Sequence, residues 1–241
     1  NYNSISVTAL FTFNKGNQSV TFSSKPTGIT WGGTPAKVTA TSTSGNTVSY
    51  RVGSPLICSL SGDTFTILKV GTCYYYTSAL GNDNYSALSE NYWDFTISAK
   101  ALTLSATDQS ENYGASVTKA FTITSGALVG SDSISGITYR YAGNSPTVYT
   151  SSTTVPTVPG SYTITISSAV MSSGALTNYA ITYTAGTLTI SKASQTSLSI
   201  TSTSGTYGTS LNLTSTGGTT SGSVAYSTST AGCSISAGVL T

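Results

Sequence analysis

Apolar and polar positions alternate along most of this chain in short runs. Val48-Ser49-Tyr50-Arg51-Val52, Ile137-Thr138-Tyr139-Arg140-Tyr141 and Tyr162-Thr163-Ile164-Thr165-Ile166 are the clearest. A period of two sends successive side chains to opposite faces, so each run predicts a half-buried β-strand. Similar runs occupy residues 20–22, 38–41, 65–67, 74–76 and 95–97, then 102–104, 121–124, 181–183 and 188–190. Weaker ones follow at 198–200, 211–213 and 224–226, and another precedes them at 7–13. Trp31-Gly32-Gly33, Ser44-Gly45-Asn46, Ser61-Gly62-Asp63 and Gly81-Asn82-Asp83-Asn84 punctuate the early runs as turns. Short strands at this spacing predict an all-β fold of antiparallel β-sandwiches. No segment carries the 3.6-residue periodicity of an amphipathic helix.

The runs fall into recurring sets. Phe95-Thr96-Ile97-Ser98-Ala99-Lys100-Ala101 is echoed by Leu188-Thr189-Ile190-Ser191-Lys192-Ala193 and more loosely by Phe11-Thr12-Phe13-Asn14-Lys15-Gly16. Asn1-Tyr2, Asn84-Tyr85 and Asn178-Tyr179 each precede such a seam. Trp31-Gly32, Tyr113-Gly114 and Tyr207-Gly208 are 82 and 94 residues apart (31 to 113, 113 to 207), the size of one sandwich. The resulting map has a C-terminal strand of a preceding module at 1–16 and a complete module at 17–99. A second module follows at 100–191, and the N-terminal part of a further one at 192–241. Strung end to end, they predict an elongated chain.

Composition narrows the function classes. Only 7% of the 241 residues are charged and the net charge is +2, with no basic run, which argues against nucleic acid. Roughly a third or more of the residues are Ser or Thr, well above average usage. On the wet face of a strand Thr is soluble and its β-branch favours extended backbone. A surface for O-glycans is the sharper reading of the same excess. Asn17-Gln18-Ser19, Asn84-Tyr85-Ser86 and Asn212-Leu213-Thr214 match the N-glycosylation pattern. No apolar run is long enough to span a membrane as a helix.

Cys58 and Cys73 bracket a turn, a strand and a second turn, which can bring them onto neighbouring strands as a disulfide. A metal reading lacks ligands, since the chain has no His. Cys233-Ser234-Ile235-Ser236 echoes Cys58-Ser59-Leu60-Ser61, and a partner at the same interval would fall beyond Thr241. Cys233 is therefore read as half of a truncated pair, with a free or intermolecular thiol as the alternative. Disulfides point to an oxidising, extracellular setting.

The segment Cys58-Ser59-Leu60-Ser61-Gly62-Asp63-Thr64-Phe65-Thr66-Ile67-Leu68-Lys69-Val70-Gly71-Thr72-Cys73, with Gly81-Asn82-Asp83-Asn84-Tyr85, resembles cysteine-bearing Ig-like repeats of bacterial surface proteins. The second module resembles the MBG class of bacterial Ig-like repeats, through Leu102-Thr103-Leu104-Ser105-Ala106-Thr107-Asp108-Gln109-Ser110, Tyr113-Gly114, Phe121-Thr122-Ile123-Thr124 and the run 178–190. The resemblance implies secreted or wall-attached, adhesin-like proteins with no shared catalytic residues.

No catalytic residue and no cofactor is assigned. Without His, Ser-His-Asp and Cys-His arrangements are excluded. The seven carboxylates are scattered; Glu90 with Asp94 is the one spacing that suggests a hydrolytic pair. Asp83, flanked by Asn82 and Asn84, offers oxygens to Ca²⁺, although no bidentate Glu completes a loop motif and an Asx-rich turn is the favoured reading. Asp108 with Glu111 is a second, weaker acidic candidate. Tyr74, Tyr75, Tyr76, Tyr92 and Trp93 form a candidate aromatic contact surface. Alternation sends one of Tyr74 and Tyr75 outward.

The expectation is a non-catalytic spacer and adhesion segment of an extracellular bacterial surface protein, partnered by neighbouring modules of its own chain. Two alternatives stand beside it. One is a carbohydrate-binding module acting on surface glycans through Tyr and Trp. The other is a protomer of a homo-oligomeric fibre or surface layer.

Overall fold

The computed structural model describes residues 2–219 and 222–241. Asn1, half of the first Asn-Tyr pair, lies outside the described residues. Nine strands arise before the first long seam: β1 (Val20–Ser24), β2 (Ile29–Thr30), β3 (Ala36–Lys37), β4 (Thr39–Ser42), β5 (Val48–Val52), β6 (Cys58–Ser61), β7 (Thr64–Ile67), β8 (Gly71–Ala79) and β9 (Leu88–Ser98). They make a four-stranded sheet ordered β2-β9-β8-β5, a three-stranded sheet β3-β7-β6, and the pair β1-β4. Ala36, Cys58 and Phe65 from the smaller sheet pack on Cys73, Tyr75, Phe95 and Ile97 from the larger. That packing is a β-sandwich core.

The next window holds β10 (Lys100–Ala106), β11 (Gln109–Asn112), β12 (Phe121–Ser125), β13 (Ser133–Gly143), β14 (Gly160–Ser173), a 3₁₀ turn at Leu176–Asn178, β15 (Tyr179–Thr184) and β16 (Gly186–Ser191). Its sheets run β12-β10-β15 and β11-β16-β14-β13. Along β16, Leu188 and Ile190 are buried while Thr187, Thr189 and Ser191 are exposed. Leu102 and Leu104 of β10 and Tyr162, Ile164 and Ile166 of β14 are buried in the same alternating way. In both windows one four-stranded sheet runs from the strand before the aromatic–Gly turn, through the window's last strand, to an antiparallel pair.

Three sequence expectations change. The sheets are not wholly antiparallel: β2 runs parallel to β9, and β10 runs parallel to β15. Residues 7–13 form no strand, and Val7, Leu10, Phe11 and Phe13 are exposed. Residues 224–226 likewise form none. Alternation becomes a strand only where a neighbour accepts the backbone hydrogen bonds, and no described strand pairs with either run.

β17 (Leu198–Ile200), β18 (Leu211–Asn212), β19 (Ser215–Gly217), β20 (Ile235–Ser236) and β21 (Val239–Leu240) pair as β17-β19 and β18-β21-β20. None of the described residues in 192–241 is buried.

Contact density divides the chain into two compact units. One comprises residues up to Gln109 with Val117–Pro156 and Ser161–Leu188; the other comprises Ser110–Ser116, Thr157–Gly160 and Thr189–Thr241. The first unit therefore takes in all of 17–99 and most of 100–191. Within that unit, hydrogen bonds join the two windows across the seam at residue 99.

Candidate functional site

The strand β8 sorts the aromatic candidates. Tyr75 turns inward and is 1% exposed, while Tyr74 turns outward. Tyr75 packs on Phe65 and Phe95, with ring centroids 5.1 and 6.2 Å away. Trp93, opposite Tyr75 across the sheet, is half-buried against the same core. Its Nε1 donates to Thr77 Oγ1 at 3.1 Å, Phe22 meets it edge-on at 4.8 Å, and the Lys25 ammonium lies 4.1 Å from its ring. The five-residue surface expected from sequence is thus corrected to three. Period-two geometry puts Tyr75 and Trp93 on the core side and leaves Tyr74, Tyr76 and Tyr92 outside.

Those three rings form a ladder. Tyr92 lies 5.5 Å from Tyr74 and 6.1 Å from Tyr76 between centroids. Arg51, paired with Tyr76 in the sheet, stacks its guanidinium 4.3 Å from that ring. It also forks onto Glu90, Nε to Oε1 at 2.7 Å and Nη2 to Oε2 at 2.6 Å. The Arg51 hydrogen bonds hold the Glu90 carboxyl below the usual carboxylate range. Partial burial, then the Asp94 charge, pushes the Tyr92 phenol up. Gly53 makes room for the ladder, since a Cβ there would stand 2.8 Å from the Tyr76 ring. The result is an open aromatic platform edged by one ion pair.

Burial pushes the Tyr75 phenol up to about 12. The fold therefore favours the neutral form. That contribution is intact below pH about 10, the unperturbed value, and is lost as pH rises toward about 12. An alkaline titration of phenolate absorbance should show a late step that disappears in Tyr75→Phe. An identical titration in the variant would refute the assignment.

The other candidates resolve into structural roles. Glu90 and Asp94 are four residues apart on β9, about 13 Å at strand rise, too far for paired carboxylates. A groove of 810 Å³ lies beside Thr39–Ser42 and β5, with Asp63 as its one lining carboxylate. Hydrogen bonds from Lys37, then Thr64, lower that carboxyl. Asp83 is exposed, and it is Asn82 that organises its turn: Oδ1 accepts from the Asn84 and Tyr85 N–H groups at 3.0 and 2.9 Å. Asp108 Oδ1 accepts from the Thr187 N–H at 2.7 Å. Among the described residues no three His, Cys, Asp or Glu side chains gather as a metal site.

Cys58 and Cys73 are joined as a disulfide, with Cα atoms 5.8 Å apart, and Cys233 is a free, exposed thiol. Sequence reading missed Gln18, whose buried amide donates to the Leu80 and Ser86 carbonyls at 3.0 and 2.7 Å and accepts from Ser44 Oγ at 2.7 Å. Its only sequence signal lay in the Asn17-Gln18-Ser19 pattern, which points to glycosylation rather than to a buried amide.

An aromatic–Gly pair is tied to the end of the second window. The Tyr113 N–H donates to the Ser191 carbonyl at 2.8 Å, and Gly114 follows with φ +86°. Residues 102–189 match the family of the MBG domain (YGX type). Tyr113-Gly114-Ala115 lies inside the matched span. The match covers well under half of the chain. MBG domains occur in surface and adhesin-like proteins and serve there as structural modules. Comparison with curated proteins returns no match. No helix among the described residues is long and apolar enough to cross a membrane.

Proposed function

We propose that this chain is a spacer and adhesion segment of an extracellular bacterial surface protein, built from consecutive Ig-like modules. The observation that carries the reading is the MBG match at 102–189, in a family found in surface and adhesin-like proteins. The preceding window supports it, with a core of its own and a disulfide suited to an oxidising compartment. The shared sheet orders β2-β9-β8-β5 and β11-β16-β14-β13 support tandem repetition.

A spacer must bear load, so single-molecule pulling on the chain is the test. Residues 17–99 and 100–191 should rupture as separate events. Reducing Cys58–Cys73 should lengthen the first extension by about 50 Å, the reach of the residues the disulfide hides. Extension without resistance to force would overturn the spacer reading.

A second reading is favoured by the outward ladder of Tyr74, Tyr76 and Tyr92. Flat aromatic rings beside fixed hydrogen-bonding groups can stack on sugar rings. The glycan would be a neutral one, given that Arg51 and Glu90 satisfy each other. A glycan array should then show binding that Tyr74→Ala and Tyr92→Ala abolish. Binding unchanged in both variants would remove this reading.

A further inference from the structure

The aromatic–Gly and Asn-Tyr pairs recur once per module, and spacing gives no reason for either. The structure brings one of each together. Trp31 sits at the terminal end of the first window's last strand: β2 runs beside Ile97 and Ser98, and the Trp31 N–H donates to the Ser98 carbonyl at 2.9 Å. Only Ala99 separates β9 from β10. Across that seam the Trp31 Nε1 donates to the Tyr179 hydroxyl at 3.4 Å. The same hydroxyl accepts from the Val129 N–H at 2.9 Å and donates to Asp132 Oδ2 at 2.5 Å. One donor and two acceptor positions are all that a phenol has, so Tyr179 is saturated at this junction.

Two further contacts tighten it. Asn178, 4% exposed, accepts the Val70 N–H through Oδ1 at 3.2 Å. Gly32 has φ +70°, and a Cβ built on it would stand 2.3 Å from Val129 Cγ2. Glycine is needed there twice over, for the left-handed backbone and for the close approach.

We infer that Trp31-Gly32 and Asn178-Tyr179 are the two halves of an inter-module lock. The aromatic–Gly turn closing one module receives the Asn-Tyr pole of the following MBG module and fixes their relative orientation. The partner it fits is a module of this same class, recognised through a saturated tyrosine hydroxyl and a gap left for a glycine.

One further copy of each motif sits where this assignment needs it. Tyr113 closes the second window as Trp31 closes the first, by donating its N–H to the last strand at Ser191. The Asn84-Tyr85 pair faces the segment preceding its own module: the Gly16 N–H donates to the Asn84 carbonyl at 2.8 Å, and the Gly16 carbonyl accepts from the Ser86 N–H at 2.9 Å. The two windows thus each carry an aromatic–Gly turn at the closing strand and an Asn-Tyr pair toward what comes before.

The inference rests on reading 17–99 and 100–191 as consecutive modules, and it makes their joint a rigid coupling. Residual dipolar couplings measured on the whole chain test it. In the unaltered chain, amides from the two cores should fit one alignment tensor. In Gly32→Val and in Tyr179→Phe the common tensor should be lost, while core chemical shifts in both windows persist. Gly32 lies on an exposed turn, so its variant serves if Tyr179→Phe unfolds the second window. Two tensors in the unaltered chain, or one tensor retained by Gly32→Val with both cores intact, would overturn the lock. Either result leaves the spacer reading standing, because hinged modules also give reach; that reading falls only on the pulling experiment.

Discussion

Phe65→Ala is expected to lower the stability of the first window by about 3–5 kcal/mol, the range for emptying a buried phenylalanine site. Phe65 is fully buried on β7, in the smaller sheet. Its ring meets Tyr75 at 5.1 Å and Phe95 at 5.3 Å, both on the larger sheet. It is therefore the key between the two sheets, and alanine would leave a void that rigid strands cannot collapse to fill. Small domains hold only about 5–15 kcal/mol in total, so the loss would be large. The chain reports it selectively, because both tryptophans, Trp31 and Trp93, lie within 17–99. Urea unfolding followed by tryptophan fluorescence should show a much earlier midpoint. A midpoint close to that of the unaltered chain would mean that the two sheets are not keyed here.

Opening the disulfide is expected to cost the same window about 3 kcal/mol in the chain-entropy model, given its 15-residue separation. Cys58 lies on β6 and Cys73 on β8, so the bond ties the two sheets together. Both residues are fully buried, where the reductant must wait for local opening. The fluorescence-detected urea midpoint should fall in reducing buffer. The Cys58→Ala, Cys73→Ala double variant should start from the low midpoint and not respond to reductant. A reduced chain as stable as the oxidised one would remove the disulfide from the account of stability. Cys233 is exposed and should take a thiol reagent at once under native conditions.

The alternation was readable because one face of each strand is wet. Val48–Val52 and Thr64–Ile67 form strands where the sequence predicts them, since each has a buried face and a partner to pair with. The runs at 7–13 and 224–226 carry the same pattern and form nothing, because the pattern does not encode whether a partner exists. The aromatic cluster shows the same limit. Tyr74-Tyr75-Tyr76 and Tyr92-Trp93 announce aromatics on both faces, and only register decides that Tyr75 and Trp93 serve the core. Gln18 left no trace in its neighbours, since the carbonyls that its amide donates to lie more than sixty residues away.

The amino-acid order alone determined the strand class, the module-sized recurrence and the cysteine pairing. These are local or near-local properties, fixed by backbone sterics, side-chain periodicity and a short loop. Tertiary structure alone decided the parallel neighbours β2 and β15, the outward ladder of Tyr74, Tyr76 and Tyr92, and the meeting of Trp31-Gly32 with Asn178-Tyr179. The reason is distance along the chain: partners 148 residues apart share no local pattern, and only the packing of whole sheets brings them within reach of a hydrogen bond.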